Sequence, residues 1–95
     1  MDVAALRLCS MRALWGIVTP NLRKVSVEEK DNVISLYFYY DQEPSEEEID
    51  LSEDAATEVI AGFAESCLID CKRVVVKSPE KINFTGYLIY SRFEK

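Results

Sequence analysis

Apolar residues recur along this chain with two different periods, and the changes of period divide it into helices and strands. The clearest run is Val33 to Tyr40, β-branched and aromatic almost throughout. Alternation there sends Ile34, Leu36, Phe38 and Tyr40 to one face of a strand and Val33, Ser35, Tyr37 and Tyr39 to the other. Upstream, Arg23, Val25 and Val27 alternate with Lys24, Ser26 and Glu28, and Lys30-Asp31-Asn32 between the two runs is turn chemistry, so a hairpin is expected.

Helical spacing appears on either side of that hairpin. Val3 to Gly16 has high helix propensity, with Leu6, Met11, Leu14 and Ile17 near one side, and Gly16 and Pro20 end it. Trp15 closes this helix as an expected core or edge anchor. After the hairpin, Ser45 followed three residues later by Glu48 forms a capping-box signature. The second helix then runs to Ala61 or Phe63, with Ile49, Ser52, Ala56, Val59, Ile60 and Phe63 along the stripe that faces the sheet. Arg73-Val74-Val75-Val76 marks a third strand and Tyr87 to Arg92 a fourth, separated by a loop from Ser78 to Gly86.

The order α-β-β-α-β-β, in 95 residues that can support only one core, predicts a single α+β domain over 1–95. The expected architecture is a two-layer α/β sandwich, with both helices on one face of a four-stranded, largely antiparallel sheet and the other face open. The second helix carries the chain from strand two to strand three, a crossover that sets those two strands parallel if they are neighbours.

Charge is distributed as unevenly as hydrophobicity. From Asp41 to Ser66 the chain carries Asp41, Glu43, Glu46, Glu47, Glu48, Asp50, Glu53, Asp54, Glu58 and Glu65 and no Lys or Arg, while the net charge of the whole is −6. That balance disfavours nucleic acid or an anionic membrane as partner and favours something basic. Carboxylates in the first turn of a helix are stabilised by its dipole by about 0.3–1 kcal/mol each, which accounts for Glu46, Glu47 and Glu48. Farther along, Asp50 with Asp54 and Asp54 with Glu58 repel by roughly 0.2–0.5 kcal/mol per pair, so a solvated structural face explains only part of the block. Tyr37, Tyr39 and Tyr40 lead directly into Asp41, and tyrosines beside carboxylates suit a protein interface as well as they suit cross-strand packing.

Catalytic chemistry is poorly supplied. With no histidine, the commonest general base and metal ligand is missing, and no catalytic residue, cofactor or metal site is expected. The acids fall mainly on a helix with no calcium-loop pattern. Cys9, Cys67 and Cys71 lack a fourth strong zinc ligand and read as buried small hydrophobes. The first helix is too short and too charged to span a bilayer, and no cleavage site follows it, so a cytoplasmic protein with reduced thiols is expected.

The strings Arg12-Ala-Leu-Trp-Gly-Ile-Val-Thr-Pro-Asn-Leu-Arg23, Tyr37-Phe-Tyr-Tyr-Asp41, Pro44-Ser-Glu-Glu-Glu48 and Thr57-Glu-Val-Ile-Ala61 together resemble the small bacterial immunity proteins of contact-dependent growth inhibition and related toxin systems. The resemblance extends from about Arg12 to Arg92. It implies a cytoplasmic, non-enzymatic protein that binds and neutralises a toxin domain, many such domains being nucleases with basic grooves. On this reading the partner-binding surface comprises Asp41, Glu43, Glu46, Glu47, Asp50 and Asp54, with Tyr37 and Tyr39 as anchors. The alternative is a structural module, homodimeric through the open sheet face, whose acidic helix serves only solubility.

Overall fold

The fold comes from a computed structural model that describes residues 2–63 and 67–94. Glu65, one of the acidic block, lies outside the described residues. Helix α1 (Val3–Ala13) leads to the hairpin β1 (Leu22–Lys30) and β2 (Val33–Tyr40), then to helix α2 (Glu46–Ala61), β3 (Leu68–Val75) and β4 (Tyr87–Ser91). The predicted element order is therefore observed. Local chemistry explains the ends: the Asp2 side chain accepts from the amides of Ala4 and Ala5 at the start of α1, and Ser45 and Glu48 form the capping box that starts α2. Asp31 and Asn32 both take positive φ, 53° and 63°, as a two-residue turn closing Lys30 against Val33 requires.

The strand order is β3-β2-β1-β4. β1 pairs antiparallel with both β2 and β4, but β2 and β3 are parallel neighbours, so the sheet is mixed. The parallel pair follows from α2, a crossover long enough to return the chain to the same end of the sheet. β3 begins at Leu68, five residues before Arg73, where the sequence pattern predicts its start; Ile69 and Cys71 stand beside Ile34 and Leu36 and complete the pairing.

One core holds the layers together. Leu6, Leu14, Val25, Val27, Ile34, Leu36, Phe38, Tyr40, Ala55 and Val59 form a continuous buried cluster between both helices and the sheet. The inward set of β2 is the predicted one, and burial pushes the Tyr40 phenol up to about 12. The α2 stripe is narrower than expected: Ser52, Ala55, Ala56 and Val59 are buried, and Ile60 and Phe63 pack at its edge. In α1 the buried residues are Leu6, Ser10 and Ala13, whereas Met11 faces outward.

The second face of the sheet is only partly open. β3 and β4 point the same way from opposite edges, so residues 76–86 must cross the sheet to connect them. Ser26 and Tyr39 lie on the face away from the helices yet are 0% and 6% exposed, and Ile82 in the connection is buried outside the helix-side cluster. These three burials put the crossing over that face. Arg23 fastens it from the bulge that interrupts β1 between Leu22 and Lys24. Its guanidinium donates to the carbonyls of Val76 and Glu80 at 2.7 and 2.9 Å and, bidentately, to Glu94 at 2.8 and 2.9 Å.

Candidate functional site

The acidic segment divides, on its hydrogen bonds, into carboxylates the fold uses and carboxylates it leaves in water. Asp41, just past β2, accepts from the Ser78 amide at 2.7 Å and pairs with Arg92 at 3.5 Å. The Ser78 amide first, then Arg92, hold its carboxyl below the usual range. Glu48 accepts from the Thr19 hydroxyl, the Asn21 amide and the Ser45 amide, tying the entry of β1 to the start of α2. Burial works against its ionised form, but these donors together bring its pKa below the ordinary value. Glu53 pairs with Arg73 at 2.8 Å, and Arg73 also donates to Ser52 Oγ.

Glu43, Glu46, Glu47, Asp50, Asp54 and Glu58 are different. All are exposed, and none forms an ion pair with a described residue. Glu46 to Glu58 lie on the outer side of α2, the inner side being taken by Ser52, Ala55, Ala56 and Val59. Glu43 lies just before the helix, on a groove of about 410 Å³ shared with Pro20, Asn21, Asp41, Gln42, Ser45 and Glu48. The result is a ridge of uncompensated negative charge. Among the described residues, no cluster of acids, cysteines or histidines is arranged to hold a metal.

The two tyrosines expected beside these acids are placed elsewhere. Tyr37 and Tyr39 stack on each other, centroids 6.3 Å apart, on the sheet face away from α2. Lys72 lies over the Tyr37 ring at 5.4 Å. Tyr39 is almost fully buried, and burial raises its phenol pKa. The sheet thus separates both tyrosines from the α2 acids. The alternation that puts Tyr37 and Tyr39 opposite Phe38 and Tyr40 already contained this separation.

A feature the periodicity did not assign lies on α1 and the turn that follows it. Leu8, Met11 and Trp15 are 51%, 48% and 81% exposed; Trp15 anchors nothing in the core. α1 is apolar nearly all round, which was the available signal. It packs against α2 through Cys9, whose thiol lies 3.9 Å from the Val59 carbonyl and is pushed up in pKa first by burial and next by Glu58. Cys71 is likewise raised by burial, 3.8 Å from the Ser52 carbonyl. Both thiols pack between elements, and a raised pKa favours their protonated form.

No helix among the described residues is long and apolar enough to cross a membrane. No curated protein matches this chain. The model of the MafI2 immunity protein family does match, over residues 3–94, which takes in both helices and all four strands. With both helices and all four strands matched, the chain belongs to the MafI2 immunity protein family.

Proposed function

We propose that the chain neutralises a basic toxin domain, of the nuclease class, by laying the acidic ridge of α2 across its substrate groove. The observation that carries this is the absence of any ion pair to a described residue for Glu46, Glu47, Asp50, Asp54 and Glu58. Glu46 and Glu47 gain from the dipole of the first turn, but Asp50, Asp54 and Glu58 cost the isolated helix repulsion without a folding return. A ridge of like charge held on a rigid helix matches what a phosphate backbone presents to a nuclease. It speeds encounter with a basic cleft and, once docked, excludes the nucleic acid. The chain acts by binding, without catalysis or cofactor, in the cytoplasm. Asp41 contributes indirectly, by fixing the loop that presents Glu43.

The test is the triple variant Glu46→Lys, Glu47→Lys, Asp50→Lys against the cognate toxin domain. Association should slow by at least tenfold at low salt and lose most of its ionic-strength dependence, with circular dichroism unchanged. Full protection of cells by the triple variant would rule out the acidic-ridge mechanism.

A further inference from the structure

We infer that the outer face of α1, together with Trp15 in the turn that follows it, is the apolar anchor of the toxin interface, with Trp15 as its main contact. This rests on the neutralising role proposed above and names a surface that role does not require. Leu8 and Met11, three apart, share one face of α1, and Trp15, four residues on in the turn after Ala13 with its amide bonded to the Arg12 carbonyl at 3.1 Å, continues the row. That face is opposite the buried Leu6, Ser10 and Ala13. Soluble proteins scatter their exposed large apolar residues singly; three in one row, ending in a tryptophan 81% exposed, form a patch that water disfavours. The patch and the acidic ridge face the same way, because α1 and α2 pack side by side at Cys9 and Val59 on one face of the sheet and each turns its exposed row away from it, with Glu58 and Arg12 both acting on the Cys9 thiol at the seam.

The occupant this surface fits is a protein with an apolar cleft rimmed on one side by Lys and Arg. The cleft takes Trp15 and its neighbours while the rim meets Asp54 and Glu58. A second copy of this chain fits less well, since each carries a net charge of −6 and its own acidic ridge beside the stripe. The two parts of the surface divide the work. Acids set the rate of encounter, and a desolvated tryptophan sets the rate of escape.

The experiment measures binding of the cognate toxin domain by surface plasmon resonance, using Trp15→Ala, Leu8→Glu and, as an equally exposed residue outside the stripe, Phe93→Ala. Trp15→Ala should weaken affinity roughly 30-fold, the loss expected when a hot-spot tryptophan is truncated. Most of the loss should appear as faster dissociation that added salt does not change. Leu8→Glu should do the same and Phe93→Ala nothing, with urea midpoints of all three at the unaltered value. Emission from Trp15, the chain's one tryptophan, should shift to the blue in the complex. Tight binding retained by both stripe variants overturns the α1 anchor and leaves the acidic-ridge reading standing. No binding by the unaltered chain overturns both. A homodimer in sedimentation that Leu8→Glu dissociates assigns the stripe to self-association and also overturns the proposal.

Discussion

Replacing Arg23 by Met should destabilise the domain by about 3 kcal/mol, more than any single surface substitution is expected to. The residue is 3% exposed and makes hydrogen bonds to two carbonyls of the crossing segment and a fork to Glu94. A hydrogen bond from a charged donor contributes about 1.5–3 kcal/mol, and breaking a buried ion pair costs about 3–5 kcal/mol. Glu94 is 29% exposed on its side chain, so water recovers part of its loss, and the apolar methionine stem replaces some packing; both bring the estimate to the lower end. The arginine also holds Glu94 down to about 2 in pKa, with Arg92 assisting. A carboxyl depressed in the folded state contributes stability that is present above its unfolded value, near 4.5, and is lost as pH falls toward 2. Urea unfolding at pH 7, 4.5, 3.5 and 2.5 checks this in the unaltered chain, Arg23→Met and Glu94→Gln. The unaltered chain should lose its advantage over Glu94→Gln between pH 4.5 and 2.5. A loss under 1 kcal/mol at pH 7 for Arg23→Met, or a gap to Glu94→Gln that does not narrow with acid, would refute the assignment of this cluster as the clasp of the crossing segment.

Gly86→Ala should cost about 2–4 kcal/mol, because the residue has φ +78° and an added Cβ would strike the Val27 carbonyl and lie 2.8 Å from Glu28 Cβ; thermal unfolding reads it. Glu48→Ala should lose about 1–2 kcal/mol through its bonds to Thr19, Asn21 and Ser45, measured by urea midpoint. Asp54→Lys should raise stability by about 0.5 kcal/mol, relieving repulsion with Asp50 and Glu58, while slowing association with the toxin domain; a variant that gains stability and binds at the unaltered rate would argue that the ridge does nothing.

Where local chemistry determines structure, the sequence was legible. The capping box at Ser45, the Asp31-Asn32 turn and the alternating faces of β2 were each specified by residues within a few positions of one another, and the structure has all of them. Long-range choices were harder. Nothing near Arg23 indicates that its partners are Val76, Glu80 and Glu94, and alternation placed it with Val25 and Val27 because a one-residue bulge cannot be read from period alone. The start of β3 was missed because Asp70 and Lys72 interrupt the apolar run on the side facing water, while Ile69 and Cys71 keep the period on the other. The face of α1 was ambiguous for the opposite reason. With apolar residues on every side, spacing could not say which were covered, and only packing against α2 and β4 decided it.

Burial and pairing also change what the acidic block means. Asp41, Glu48 and Glu53 each have a local donor or cation, and folding alone accounts for them. The residues left over form a ridge on a helix whose own dipole favours negative charge only in its first turn, so Asp50, Asp54 and Glu58 are the ones held against their electrostatic preference. Selection for solubility would be satisfied by acids anywhere on the surface. Concentrating them on one helix, next to an exposed tryptophan stripe and away from the sheet face that the 76–86 crossing partly covers, places charge and apolar area on the same side of the molecule. That combination, a charged ridge beside a desolvatable anchor, is how a small domain obtains both fast capture and slow release of a single partner.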